Sequence, residues 1–165
     1  MHEIFSVIKT GAVFCLHINP PTDIHRTKAA KLAFMTPEAA AAFLGQINSA
    51  YGVILRGQRI RGRYNRNGYI RNEYNWQSRV LLLEGPTPMM TLEYWTSRFA
   101  VFSEFELECY SLSPSSVNGR SKMEFRFARI DGQAQTCLQC IRLDPTLAGI
   151  MHVRYGPDPC GSSMS

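Results

Sequence analysis

Seven arginines fall between Arg56 and Arg79 against one carboxylate, Glu73, so this stretch carries a net charge of +6 in a chain whose total is +5. The rest of the chain therefore sums to about −1. Every cation in the stretch is Arg, and Tyr64, Tyr69, Tyr74 and Trp76 are interleaved with them. A guanidinium fork binds phosphate oxygens bidentately, and an aromatic ring gives a base a face to stack on. These types in this order point to single-stranded nucleic acid. The phosphate-binding candidates are Arg59, Arg61, Arg63, Arg66 and Arg71. The stacking candidates are Tyr64, Tyr74 and Trp76, with Tyr64 and Trp76 foremost. Lys31 and Lys122 would add charge without base readout. The plainer alternative is a solvated linker with a few stray rings.

Other chemistries find less support. The chain has five cysteines, an odd number at irregular spacing. Cys137 and Cys140 form the one close pair, but a metal site needs two further ligands, and His2, His17, His25 and His152 are scattered. The pair also falls inside an expected helix rather than at a helix start, so it reads as buried or half-buried thiols in a reducing compartment. No Ser/His/Asp or Cys/His spacing, no paired carboxylates on one helix face and no Gly-rich phosphate loop stand out. The expectation is a chain that is not an enzyme and takes no cofactor or metal.

The elements that would position the cations come next. In Lys122-Met-Glu-Phe-Arg-Phe127, polar and apolar residues alternate without a break, which is the period of a strand buried on one face. Thr27–Phe34 overlays Arg120–Phe127 without a gap: positions four, six and eight are apolar, and position eight is Phe in both. A helical run follows each, Pro37–Ala50 and Asp131–Leu143. The repeat is domain-sized. Apolar residues make up 45% of the chain, enough for a packed core, and charged residues only 19%, which argues against disorder throughout. No apolar run is long enough for a transmembrane helix, and Met1-His-Glu-Ile-Phe lacks the basic and apolar regions of a secretion signal. The expected setting is intracellular, nuclear or cytoplasmic.

In chain order, His2–Thr10 reads as the end of an amphipathic helix stopped by Gly11, Ala12–Ile18 as a strand, and Lys28–Phe34 as the next. Thr36 caps the helix that Pro37 opens. Gly57–Arg63 reads as a short last strand, with Arg61 and Arg63 on one face. In the second half Val80–Leu83 is a strand, Met89–Phe102 a helix, and Phe105–Ser111 a strand with Phe105, Leu107 and Cys109 on one side. A loop over Ser113–Gly119 leads to Lys122–Phe127, the helix at Asp131–Leu143 and a strand at Ile150–Tyr155. That order is βαββαβ, an α+β ferredoxin-like sandwich of an antiparallel sheet with two helices on one face. The expected domains are a partial one at 1–66, a connector at 67–77, a complete one at 78–160 and a disordered tail at 161–165.

On these elements the chain resembles the RNA-recognition motif family, in tandem and degenerate form. The family's third-strand octamer matches Arg120–Phe127 and, more weakly, Thr27–Phe34. Arg120 takes the first place, Phe125 the sixth and Phe127 the eighth. The first-strand hexamer matches Leu81–Pro86, with Leu82 where an aromatic is usual. The resemblance implies RNA binding on an open sheet face, but the family's stacking places hold Lys122 and Glu124 in the second half and Ala29 and Lys31 in the first. A register turning Phe125 and Phe127 outward would bury Arg126 unpaired, which costs several kcal/mol by order of magnitude. Phe125 and Phe127 are therefore expected in the core, with no charge inside.

The first half also lacks the family's first strand, which lies in mid-sheet. Either the chain starts inside a domain, or the connector or a second chain fills the gap, because bare ladder groups there would be costly. Two functions follow: an RNA-binding module led by the Arg/Tyr connector and its sheet edge, or a protein-interaction module that has lost base stacking. The expected partners are single-stranded RNA, and a protein or second copy at the open first sheet.

Overall fold

The computed structural model describes residues 1–23, 27–66 and 76–161. It divides into two compact units, Met1–Asn75 with Asp158–Ser165, and Trp76–Pro157. Among the described residues no helix is long and apolar enough to cross a membrane.

Unit 1 runs α1 (His2–Ser6), β1 (Val13–Asn19), β2 (Ala29–Phe34), α2 (Pro37–Asn48), β3 (Ile54–Leu55) and β4 (Gln58–Arg59). The Thr36 hydroxyl accepts from the Ala39 N–H at 3.2 Å, and Pro37 opens α2, as the sequence motif requires. β1 and β2 pair antiparallel, with Leu16 opposite Leu32 and His17 opposite Lys31. Phe5, Ile8, Val13, Leu16, Phe43, Ile47 and Val53 form the core with Cys160.

Three expectations change here. α1 ends at Ser6, short of Thr10. Gly11 is a close-approach residue rather than a helix stop, because a Cβ there would collide with the Ala39 side chain. The strand expected over Gly57–Arg63 is a two-residue hairpin arm. Arg56 (φ 50°) and Gly57 (φ 75°) lie in the left-handed region, and Leu55 pairs with Gln58, the arrangement of a type I′ turn. The strand ends at Arg59, with one further ladder bond from the Ile60 N–H to the Val53 carbonyl at 2.8 Å, so Arg61 and Arg63 lie beyond it.

The chain end belongs to this unit as well. Asp158 is buried, its Oδ2 accepting from the Val13 N–H at 2.8 Å and its Oδ1 from the Cys160 N–H at 3.1 Å. The Gly11 N–H donates to the Cys160 carbonyl at 3.0 Å. Gly161 is held by an N–H bond to the Asp158 carbonyl, whereas 162–165 of the expected tail lie outside the described residues. Among the described residues neither β1 nor β2 gains a further strand, and 67–75 of the connector lie outside them.

Unit 2 runs β5 (Val80–Pro86), α3 (Leu92–Ala100), β6 (Leu107–Pro114), β7 (Arg120–Phe127), α4 (Gln135–Arg142) and β8 (His152–Tyr155). The strands lie in the order β6-β7-β5-β8, all neighbours antiparallel. First and third strands are central and second and fourth are edges, which is the ferredoxin-like sandwich in full. α3 starts at Leu92 because the Thr91 hydroxyl accepts from the Tyr94 N–H, after a 3-10 turn at Thr87–Met89. α4 starts at Gln135 because Asp131 is extended (ψ 142°) and Gly132 is left-handed (φ 67°).

The register of β7 is the one its alternation demands. Met123, Phe125 and Phe127 are buried with Leu81, Leu83, Trp95, Phe99, Leu138 and Ile141, while Lys122 is exposed. Phe99 meets Phe125 edge to face, with ring centroids 5.5 Å apart.

The expectation of a charge-free interior fails in unit 2 at Arg79, as it does in unit 1 at Asp158. Arg79 is 0% exposed, and its guanidinium donates to Glu108 Oε2 at 2.5 Å and to the Phe127 carbonyl at 3.2 Å. The cause is a β-bulge. Leu107 pairs with Phe127 but Cys109 with Arg126, so Glu108 is the extra residue and turns inward. The same bulge moves Cys109 off the core side expected for it, to sit opposite Arg126.

Candidate nucleic-acid interface

The six described arginines of the charged stretch have different surroundings once folded. Arg56 pairs with Glu3 (2.8 Å), and that hydrogen bond holds the Glu3 carboxyl below its usual range. Arg59 donates to the Ser49 carbonyl at 2.5 Å, closing the end of α2. Arg79 lies inside unit 2 with Glu108. Arg61, Arg63 and Arg66 are exposed, as is Tyr64 at 63%. No described carboxylate lies within ion-pair distance of these three guanidiniums. Arg71 and Tyr74 lie outside the described residues.

Gly62 explains how two cations come to flank a close approach of the backbone to α2. A Cβ at Gly62 would press on Leu44 and Ile47 of α2, at 3.3 and 3.2 Å, so the backbone lies close against that helix. The Arg61 and Arg63 side chains stay exposed on either side of this contact. Lys31 is exposed in β2 and faces His17 across the hairpin, on the side opposite Leu16 and Leu32.

In unit 2, no described helix or strand of that unit covers the sheet face away from the helices. Lys122, Glu124, Leu82, Glu84, Ser111, Ser113, His152 and Arg154 line a shallow cavity of about 400 Å³ there. Lys122 lies opposite Ser113 on one side and Glu84 on the other. A hydrogen bond from Ser115 (2.6 Å) holds the Glu84 carboxyl below its usual range, helped by the charges of Lys122 and Arg120. Arg126 pairs with Glu124 at 2.5 Å. Arg120 donates to the backbone carbonyls of Glu84 and Ile150, a structural role. His152 and Arg154 were overlooked in the sequence, although the alternation of His152-Val-Arg-Tyr155 places them with Lys122 once β8 is recognised as half-buried.

Among the described residues this face carries no Phe, Tyr or Trp, and its one ring is the His152 imidazole. Trp76, 61% exposed, leans on Tyr155 with ring centroids 5.7 Å apart. Tyr155 pairs with core residue Leu81 and packs against the core, so it points to the helix side of the sheet. Burial pushes the Tyr155 hydroxyl pKa up. Trp76 and Lys122 thus serve opposite sides of unit 2. The face can attract and orient an anion, but it lacks the large rings on which bases stack most strongly.

No family model matches the chain, and no curated protein matches it. Among solved structures, an SXL-lethal protein/RNA complex is similar over 93% of this chain and 90% of that chain, at 14% identity and a TM-score of 0.34.

Proposed function

We propose that the chain is an RNA-binding module of RNA-recognition-motif type whose contacts are mainly to phosphate. The supporting observation is the run Arg61, Arg63, Tyr64 and Arg66, exposed and without a described counter-charge, while Arg56, Arg59 and Arg79 are tied to the fold. Arg71, Tyr74 and Trp76 extend this run in sequence, and Lys31 and Lys122 with Arg154 supply charge on sheet faces. A surface of this kind holds single-stranded RNA with little sequence preference, because base readout needs rings or base-edge hydrogen bonds. The reading assigns the chain no catalysis and a place in the nucleus or cytoplasm.

The test is binding to mixed-sequence single-stranded RNA across a salt series. Replacing Arg61 and Arg63 with Ala should weaken binding about equally for all sequences and reduce the salt slope by about 1.4, at about 0.7 per phosphate contact on a single strand. A double variant that binds as well as the parent, or a parent that binds nothing at low salt, rejects the reading. A protein-interaction module then takes its place, favoured by a unit 2 sheet face lined by no described Phe, Tyr or Trp and by the two-stranded sheet of unit 1.

A further inference from the structure

We propose that β6 is the seam of a homodimer, in which two copies pair this strand antiparallel about Ser111 and merge their unit 2 sheets into one. β6 ends the sheet order, so among the described residues the backbone groups on its outer side have no strand partner within the sheet. The two edges of this sheet are built differently. β8 is four residues long and carries the exposed His152 and Arg154, the short, charged edge that discourages pairing. β6 is eight residues long, Leu107–Pro114, with Cys109-Tyr-Ser-Leu-Ser113 free of charge.

The bulge creates that neutrality. Glu108 is the one charged residue of β6, and its side chain is only 4% exposed because it turns in to Arg79. What remains outside is apolar or hydroxylic. Tyr110 is 48% exposed and Leu112 56%, and both project to the side of the sheet that bears Phe125 and Met123, their cross-strand neighbours.

The occupant is a second copy because the strand complements itself. A two-fold axis at Ser111 sets Tyr110 against Leu112 of the other copy, twice, on one face. It sets Cys109 against Ser113, twice, on the other. Isologous pairing sets residue i against residue j of the other copy and j against i, so a charge at the axis meets its own copy, and a strand with no charge around the axis escapes that repulsion. Copies carrying a net +5 repel one another, and a neutral edge is where their approach meets least resistance.

The experiment is light scattering on nuclease-treated full chain over a concentration series, with Ser111→Lys and Ser111→Glu. Ser111 is exposed, and circular dichroism checks that both variants keep the fold. The parent should rise from one chain mass to two. Each variant alone should stay at one chain mass, since its new charge meets its own copy at the axis. An equimolar mixture of the two variants should return to twice the chain mass. A parent that stays at one chain mass up to its solubility limit overturns the proposal. So does a dimer that survives Ser111→Lys.

Discussion

Replacing Glu108 with Ala takes the carboxylate at 2.5 Å away from the Arg79 guanidinium inside unit 2 and keeps the neutral Phe127 carbonyl at 3.2 Å. Arg79 is 0% exposed and the Glu108 side chain 4%, so water cannot replace the lost partner without local opening. Breaking a buried pair on one side costs about 3–5 kcal/mol. Replacing both groups with apolar side chains of similar volume, Arg79→Met with Glu108→Leu, should instead fall near the parent or above it, because neither charge then needs desolvation. The chain's two tryptophans, Trp76 and Trp95, both belong to unit 2, so their fluorescence follows that unit alone. In urea, with a slope of about 1.5 kcal/mol/M, the Glu108→Ala midpoint should drop by about 2–3 M. If Glu108→Ala unfolds with the parent, or the double substitution is as damaging as the single one, the bulge and its ion pair do not hold unit 2 together in the way described.

Phe125→Ala should cost unit 2 about 3–5 kcal/mol by the same fluorescence assay, since the ring is fully buried against Phe99 and Phe127. While the variant remains folded, its RNA salt slope should match the parent's, because this ring touches no open face. Glu84 has a depressed carboxyl pKa, so its contribution to stability is complete above the unfolded-state carboxylate range and is lost as pH falls through the lower folded value. Ser115→Ala removes the leading cause, and an acid titration followed by fluorescence should show that pH dependence reduced; an unchanged acid limb would count against the assignment. Burial pushes the Cys137 thiol up to about 12, so at neutral pH it should resist alkylation until the chain unfolds, as mass mapping of iodoacetamide adducts can show.

The local rules reached far along this chain because its elements are short-range constructions. The alternation of Lys122–Phe127 chose its own register, since the opposite one puts Arg126 under the helices and Met123 in water. Thr36-Pro37 marked a helix start for the reason it forms one: a hydroxyl for an orphan N–H and a residue with no N–H to satisfy. The βαββαβ order then left the ferredoxin-like sheet as the way to bury both helices' apolar faces. Which arginines remain available was a different kind of question. Arg59 found a helix-end carbonyl, Arg56 the carboxylate of Glu3, and Arg79 a glutamate that faces inward only because one extra residue bulges β6. Asp158 likewise reads as part of a closing loop, yet it caps the Val13 N–H from the far end of the chain. Composition counts charges and periodicity assigns faces, but neither carries information on a partner distant in sequence. That pairing depends on strand register and on which backbone groups folding leaves unmatched, and so only the tertiary structure decided it.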